Sequence, residues 1–283
     1  MRLVIVVAAV MLLSIPAQAQ DEVKERHKKY LDRAEVHHLG DSATITANSP
    51  RPLADTLMAV SQEYGWLIDF EDPPYYSAYD LVDDTDSAYR AAHPDEKGVT
   101  AVGGAAFQPR FPEILDRAAS IPEQERILDK IISDYNESSN PGQFSLRKEG
   151  GGRFSVIGSY IKNESGQDEA VNPVLDTPIT IKTETRNAYE TIELIVNTLT
   201  NTSKSKIMVG RVPTNLLYQT QVTVGGENIP ARALISQVLS ALRIKLYWHL
   251  YHDADVKKYA LNLLPLVKVS YDASGRRTAE LVQ

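Results

Sequence analysis

The chain contains no cysteine. It therefore forms no disulfide, carries no lipid-modified cysteine and offers no thiolate as a nucleophile or metal ligand. A chain of 283 residues, of which 43% are hydrophobic and 24% charged, has the composition of a globular protein. We expect it to fold around its own core without covalent cross-links, even in an oxidising compartment.

Long apolar runs are also missing after the N-terminus. The run at Leu3–Leu13 is too short for a transmembrane helix, which needs about 20 apolar residues. Arg2 precedes this run, and residues 17–19 form the small-x-small pattern of a signal peptidase site. The sequence predicts a signal peptide over residues 1–19, cleavage before Gln20, and a soluble protein that is periplasmic or secreted.

Positive charge is in deficit. Lysine and arginine number 30 against 37 aspartate and glutamate residues, so the formal net charge is −7. Nucleic acids and anionic lipid surfaces attract basic proteins, so this balance argues against either as the partner. The aromatic residues include 14 tyrosines but only 5 phenylalanines, which favours amphipathic aromatic surfaces, whether in binding faces or in half-buried strands.

Changes in composition divide the predicted mature chain into five regions. These are a charged leader helix or arm at 20–40, an N-terminal strand-helix-strand unit with a long loop at 41–110, a helix plus β-hairpin at 111–177, a C-terminal βαβ-βαββ module at 178–265, and a flexible tail at 266–283.

The N-terminal unit is centred on a helix that opens at Pro52, because proline is tolerated in a first turn whose N–H groups lack partners. An apolar stripe follows at Leu53, Leu57, Val60 and Tyr64. Residues 66–71 then alternate with period two. They predict a strand with Trp66, Ile68 and Phe70 on one face and Asp69 and Glu71 on the other.

After this unit, residues 72–110 lose all periodicity and predict a long loop. A helix is predicted over 121–135, and two strands flank Gly150–Gly152 as a hairpin. In the C-terminal module, Asn187 with Glu190 forms a helix-capping signature, and Pro230 opens a second helix. Alternating strands surround both helices, so the predicted fold class is α+β, with repeated strand-helix-strand units, small mixed sheets and packed helices.

Two stretches carry a resemblance to a known domain. They are SPRPLADTLMAVSQEYGWLIDF at Ser49–Phe70 and VTVGGENIPARALISQVLSALRIKLYWHLYHD at Val222–Asp253, and each joins a helix that opens near proline to a strand that carries tryptophan. This pattern resembles the short N-terminal domains of secretins and TonB-dependent receptors, in which two such units pack their helices between small sheets. The resemblance implies contacts with periplasmic partners of an outer-membrane machine, although the chain lacks a following barrel or secretin sequence.

The densest metal-capable cluster is WHLYHDAD, which contains His249, His252, Asp253 and Asp255. Residues three apart on a strand point to opposite faces, so we expect the two histidines not to share an ion. The two aspartates begin like a calcium loop, but lysine and leucine stand where that loop requires glycine and glutamate. We predict no metal and no cofactor.

Two enzymatic interpretations can be stated from the residues. Asp69 and Glu71 share a strand face at a spacing that suits a pair of catalytic carboxylates, which raises the hypothesis of an envelope hydrolase. Three S-x-x-K motifs, at Ser145, Ser159 and Ser203, lack the K-T-G strand that acyl-serine enzymes require. The discriminating observation is whether the two carboxylates converge in a cleft with a third polar group.

Our first hypothesis is a non-enzymatic exported protein that binds an envelope protein or polymer through sheet edges and tyrosine-bearing faces. The predicted binding residues are Tyr247, His249 and Tyr251, which share one face of a strand opposite Leu246 and Trp248. Amphipathic aromatic side chains provide contact area at a small entropic cost. We expect this strand face to be exposed to solvent.

Overall fold

The computed structural model describes residues 34–48, 50–114, 119–271 and 277–283. Residues 34–283 form one compact unit, and its fold class is α+β, as predicted. The predicted signal peptide and residues 20–33 of the predicted leader lie outside the described residues. None of the helices in the described part of the chain is long and apolar enough to cross a membrane.

The helices are α1 (Pro52–Tyr64), α2 (Ser87–Ala92), α3 (Ile121–Asn136), α4 (Ala188–Ser203), α5 (Thr214–Gln219) and α6 (Ala231–Ser240), with a 3-10 turn at Val174–Asp176. The four longer helices begin close to their sequence signals, whereas α2 and α5 were not predicted. Helix α1 opens on proline and ends at Gly65, whose φ of 73° is the left-handed conformation that glycine tolerates. Helix α4 is capped by Asn187, whose side chain accepts a hydrogen bond from the Glu190 amide at 2.8 Å.

The strands are β1 (Val36–His38), β2 (Ser42–Ile45), β3 (Leu67–Glu71), β4 (Leu81–Asp83), β5 (Thr100–Val102), β6 (Arg110–Pro112), β7 (Gln143–Gly150), β8 (Arg153–Lys162), β9 (Asp168–Ala170), β10 (Pro178–Asn187), β11 (Ile207–Val209), β12 (Gln221–Pro230), β13 (Leu246–Asp253), β14 (Lys258–Pro265), β15 (Val267–Tyr271) and β16 (Arg277–Leu281). The main sheet has the order β11-β14-β13-β3-β8-β7, and β9 adds to β8. Strands β10 and β12 form a separate two-stranded ribbon.

Three neighbouring strands of the main sheet, β13, β3 and β8, run parallel. They come from the three regions that the sequence analysis separated at 110 and 177. Their carboxyl ends therefore lie at the same end of the sheet, where Glu71, Lys162 and Asp253 stand. Strands β14 and β7 flank them in the antiparallel sense, the latter through the predicted glycine turn.

Each face of the main sheet is covered by its own core. One core consists of residues between 174 and 263, with α4 and α6 packed against Trp248 and Leu250 of β13. The other consists of residues between 43 and 156, with α1 and α3 packed against Ile68 and Phe70 of β3. Because apolar layers cover both faces, the central strands β3 and β13 bury residues on either face.

Three segments differ from their sequence-based predictions. Residues 36–38 of the predicted leader helix form strand β1, which pairs with β2. Residues 72–110 hold the small hairpin β4–β5 and helix α2. The predicted tail forms the hairpin β15–β16, which bonds to the main fold where the Lys245 amide donates to the Val282 carbonyl at 2.9 Å.

Candidate functional site

Asp69 and Glu71, the candidate hydrolase pair, are buried in the centre of the fold. Asp69 forms an ion pair with Arg153 at 2.7 Å, and Glu71 forms one with Arg232 at 2.5 Å. Their side chains are 0% and 1% exposed. Burial raises the pKa of both carboxyls, and the paired arginines oppose that rise. Each carboxylate therefore has its own arginine.

These ion pairs leave the hydrolase hypothesis without an accessible catalytic pair. The two carboxylates do share one side of β3, as alternation predicts, but that side packs against the core that contains Trp248. Both carboxylates are buried because the sheet is covered on both sides. A substrate has no route between two carboxylates that are bonded to buried arginines.

Asp69 and Arg153 also connect β3 to β13 through hydrogen bonds. Among the described residues these strands share two register pairs, His249 with Phe70 and Leu250 with Glu71. Before these pairs, the Trp248 amide donates to Asp69 at 2.9 Å and Arg153 donates to the Leu246 carbonyl at 2.7 Å.

Beyond the two register pairs, the side chains of Arg51 and Asp72 form hydrogen bonds with the backbone of β13. The His252 amide donates to Asp72 at 3.0 Å, and Arg51 donates to the His252 carbonyl at 2.7 Å. Arg51 also bonds to Asp72 at 2.7 Å. Side chains thus satisfy backbone groups of β13 that the short strand β3 does not reach. These charges have a structural role.

The predicted binding face at Tyr247, His249 and Tyr251 is in the interior. The three residues do share one face of β13, but Tyr247 and His249 are buried and Tyr251 is partly buried. The His249 ring packs edge-on against Phe70, and its Nδ1 lies 2.7 Å from the Tyr251 hydroxyl. The expectation of solvent exposure was wrong because the N-terminal core lies against this face.

The two candidate metal-binding histidines lie apart, as strand parity requires. His249 contacts Phe70, whereas His252 contacts Tyr259 on the opposite face, with ring centroids 4.8 Å apart. Burial lowers the pKa of His249 to about 3 and that of His252 to about 4. Within the described ranges, no three histidine or acidic side chains converge as metal ligands do.

Sheet edges, the other predicted binding feature, are irregular. The Asn136 side chain accepts from the Phe144 amide at 2.9 Å and donates to its carbonyl at 2.8 Å, so it occupies the outer edge of β7 where a further strand would begin. The β10–β12 ribbon has register shifts after Ile179 and Ile181. Such interruptions are how proteins discourage strand addition.

Residues 72–110, which we call the excursion, are fixed at the carboxyl ends of the three parallel strands. The excursion leaves β3 directly. Asp80 accepts a hydrogen bond from the Lys162 amide of β8 at 2.8 Å, and Lys97 forms an ion pair with Asp255, just after β13, at 2.8 Å. Tyr75 is buried against Val102 and Ile161. The excursion is therefore part of the packed structure.

The excursion carries several exposed large apolar side chains. One tyrosine and one valine are more than half exposed, namely Tyr79 at 66% and Val99 at 56%. Tyr76, Val82 and Tyr89 are also exposed. Five exposed large apolar side chains thus fall within residues 76–99, and contiguous exposed apolar surface is typical of interaction sites.

A groove of about 350 Å³ lies within this surface and is called the excursion groove. Its wall includes Tyr76, Leu81, Val82, Arg90, Lys97 and Thr100. The volume falls within the range of natural ligand-binding clefts, which starts at about 300 Å³. Ligands of parallel sheets bind outside the carboxyl ends of the strands, which is the position of the excursion.

The sequence did not predict this surface because the buried residues that hold it in place are small or polar. Ser77 and Asp80 are buried, whereas hydropathy assigns such residues to loops. The available signal was the density of tyrosine in PPYYSAY, at residues 73–79, next to a strand end. Comparison with known proteins adds no assignment, since no protein-family model, no curated protein and no solved structure matches this chain.

Proposed function

We propose that this chain is an exported, non-enzymatic protein that binds a component of the cell envelope, in the first instance another protein, through the excursion. The observation that carries the proposal is the set of exposed tyrosine and valine side chains on the excursion, of which Tyr76 and Val82 line the excursion groove. Tyrosine is enriched at protein interfaces because one end of its side chain is apolar and the other accepts water.

The other surfaces considered support this choice by elimination. The carboxylate pair and the face of Tyr247 and His249 are buried, and Asn136 occupies the outer edge of β7 at its first residues, where it bonds to Phe144. The excursion combines exposed apolar area with a backbone fixed at three strand ends. A fixed surface binds with a smaller loss of conformational entropy than a mobile loop.

The location in the envelope rests on the predicted signal peptide and on the resemblance of two stretches to secretin and TonB-receptor N-terminal domains. The two stretches that carry the resemblance contribute helices α1 and α6, which lie in different cores, so the packing of these helices adds no support to the resemblance.

The test compares two double variants in a quantitative capture assay with envelope extract. Tyr79→Ser with Val99→Ser removes exposed apolar area from the excursion. Tyr218→Ser with Met208→Ser removes similar side chains, 49% and 53% exposed, from the C-terminal module. We expect the first variant to lose about tenfold or more in captured partner, because a few central aromatic and apolar residues dominate most interfaces.

The matched control decides the interpretation. All four substituted side chains are exposed, so both variants are expected to keep the circular dichroism spectrum of the parent. Equal capture by the parent and the excursion variant would reject the excursion as the binding surface. A captured glycan in place of a protein would retain the site and assign the partner to the envelope polymers.

A further inference from the structure

We propose that the excursion and the turn between β8 and β9 form a saccharide-binding site, at which the ring of Tyr79 stacks against a pyranose of a neutral polysaccharide. The inference goes beyond the proposed function, which concerns a protein partner. It follows from the way in which the Tyr79 ring is held and from the hydrogen-bonding groups that stand beside it.

The ring of Tyr79 lies flat on Gly166, which belongs to the turn between β8 and β9. A methyl group at Gly166 would lie 3.0 Å from both Cε1 and Cζ of the ring and 3.3 Å from Cε2. Nearly equal distances to three consecutive ring atoms place Gly166 beneath the face of the ring, since an approach to the edge would bring the hydroxyl oxygen closer. Gly166 also has a φ of 75°, which favours glycine. One face of the ring is therefore covered by backbone, and the other faces solvent.

Hydrogen bonds hold the backbone on both sides of this contact. Buried Ser77 donates through its hydroxyl to the Asn163 carbonyl at 2.9 Å and accepts from the Tyr79 amide at 3.2 Å. The Asn163 side chain accepts from the amides of Ser165 and Gln167, at 2.9 and 3.1 Å, which closes the turn beneath the ring. The ring is 66% exposed and yet fixed in place, so a ligand that stacks on it meets a surface that needs little ordering.

Carboxylates stand close to this ring. The Tyr76 hydroxyl donates to Glu169 at 2.8 Å. That hydrogen bond raises the pKa of Tyr76, and the charge of Glu164, two residues before Gly166, adds to the rise, which places Glu164 near Tyr76. Glu164 is exposed and forms no ion pair or side-chain hydrogen bond with the described part of the chain. It is therefore available to accept hydrogen bonds from a ligand.

A neutral saccharide matches this combination of groups. A pyranose with equatorial hydroxyls presents only C–H groups on its two faces and carries its hydroxyls around its rim. One sugar unit can therefore cover the open face of the Tyr79 ring while its hydroxyls donate to the Glu164 carboxylate. Hydrogen bonds to ionised acceptors are stronger than those between neutral groups.

Charged ligands match the site less well. An anion would be repelled by Glu164 and Glu169, and Lys162 on the neighbouring strand is already paired with Asp168 at 2.7 Å. A small cation would leave most of the ring face in water, and its attraction to carboxylates as exposed as Glu164 is screened by the solvent.

The experiment measures binding of cellohexaose and chitohexaose to the full chain by titration in saturation-transfer difference NMR. Both probes are β-1,4-linked pyranose chains with equatorial substituents. We expect the strongest saturation transfer at the C–H protons of the sugar ring. Tyr79→Ala should raise the dissociation constant about tenfold or more, whereas Tyr79→Phe, which keeps the ring face, should change it about twofold or less. Glu164→Ala should raise it about threefold or more.

The matched control is Tyr218→Ala. Tyr218 is 49% exposed and also has one face covered, by the ring of Tyr189 with centroids 4.6 Å apart. Because all three substituted side chains are exposed, each variant is expected to keep the circular dichroism spectrum of the parent. Tyr218→Ala should bind the sugars as the parent does.

Three outcomes would reject the saccharide site. These are an absence of saturation transfer from the parent, equal weakening by Tyr79→Ala and Tyr218→Ala, and binding of spermine, a polycation, that is tighter than that of either sugar and is lost in Glu164→Ala. Each of them leaves the capture of a protein by the excursion as a separate question, because that assay also depends on Val99, which has no part in the saccharide site.

Discussion

At the scale of single residues, the most informative groups are the buried charges of β3 and its neighbours. Burial raises the pKa of Asp69, Glu71 and Asp72 despite their arginine partners, so the desolvation of these carboxylates outweighs the attraction. Buried ion pairs of this kind add little to the net stability, but the loss of one partner is costly. We infer that they fix the register in which β13 meets β3.

The ion pair of Asp69 with Arg153 gives a direct test. We expect Asp69→Ala to lower the free energy of unfolding by about 3–5 kcal/mol, because it leaves a buried guanidinium without a counter-charge. Asp69→Leu with Arg153→Met should recover only part of that loss, because it removes the unpaired charge but leaves the Trp248 amide and the Leu246 carbonyl without their side-chain partners. The measurement is urea denaturation of the parent and both variants.

The control for this experiment is Asp134→Ala, which breaks the exposed pair of Asp134 with Lys130, 2.9 Å apart. That change should cost less than about 1 kcal/mol, since exposed pairs are screened by water. A similar small cost for Asp69→Ala would show that the buried pair has no special weight.

His249 predicts a pH dependence of stability. Burial lowers its pKa to about 3 in the fold, whereas an unfolded histidine titrates near 6.5. Between these two values the unfolded chain binds a proton that the folded chain does not. The free energy of unfolding therefore falls as the pH drops below 6.5, by up to about 1.4 kcal/mol per pH unit for this one proton.

His249→Phe should flatten that dependence by about one proton between pH 6 and pH 4. Asp55 acts in the opposite direction, because burial raises its pKa to about 6 and its protonation stabilises the fold as the pH falls. The comparison is therefore made between variant and parent at each pH. Parallel curves would contradict burial of a neutral His249.

At the scale of elements, the four longer helices follow their sequence signals closely. The apolar stripe of α6 contains Leu234, Ile235, Val238 and Leu239, all buried, whereas Gln237 is exposed. A period of 3.6 with one polar face is enough to identify which side of such a helix packs inward. The strands were less well determined, because alternation identifies two faces but does not show whether either meets solvent.

Substitution on α6 tests this assignment. Leu239→Asp places an unpaired carboxylate in the C-terminal core, and we expect the free energy of unfolding to fall by several kcal/mol, as buried unpaired charges do. Gln237→Asp, on the exposed side of the same helix, should change it by about 0.5 kcal/mol or less. Thermal unfolding of both variants distinguishes them, and equal melting temperatures would contradict the stripe.

At the scale of the whole molecule, three regions that are separate in sequence contribute adjacent strands to one sheet. Nearly all residues of one core lie before residue 157, and nearly all residues of the other lie after residue 173. Strand β13 connects them, since Trp248 belongs to one core and Tyr251 packs against the other. The excursion reaches the ends of all three strands, which is why it holds a defined surface.

Export is a prediction about the whole molecule. The small-x-small site after a short apolar run predicts cleavage between Ala19 and Gln20. We expect the protein recovered from the bacterial periplasm or medium to begin at Gln20, as measured by mass spectrometry of its N-terminal peptide. An intact Met1 in the exported fraction would contradict the signal peptide.

The sequence by itself determined the local elements of this protein. Proline and glycine signals located both ends of α1, and the asparagine cap located the start of α4, to within one residue. Alternation assigned the faces of β3 and β13 correctly, because these features depend on backbone preferences and on neighbours a few residues away. The lack of cysteine excluded thiol chemistry, and the excess of acidic residues argued against nucleic acid as a partner, because both follow from composition alone.

Only the tertiary structure decided which faces and loops meet solvent. Tyr247 and His249 are buried because a distant segment, residues 43–156, covers their face of β13. Tyr79 is exposed because buried Ser77 and Asp80 fix the excursion beneath it. Burial depends on contacts between residues far apart in the chain, and periodicity within one segment carries no information about what packs against it.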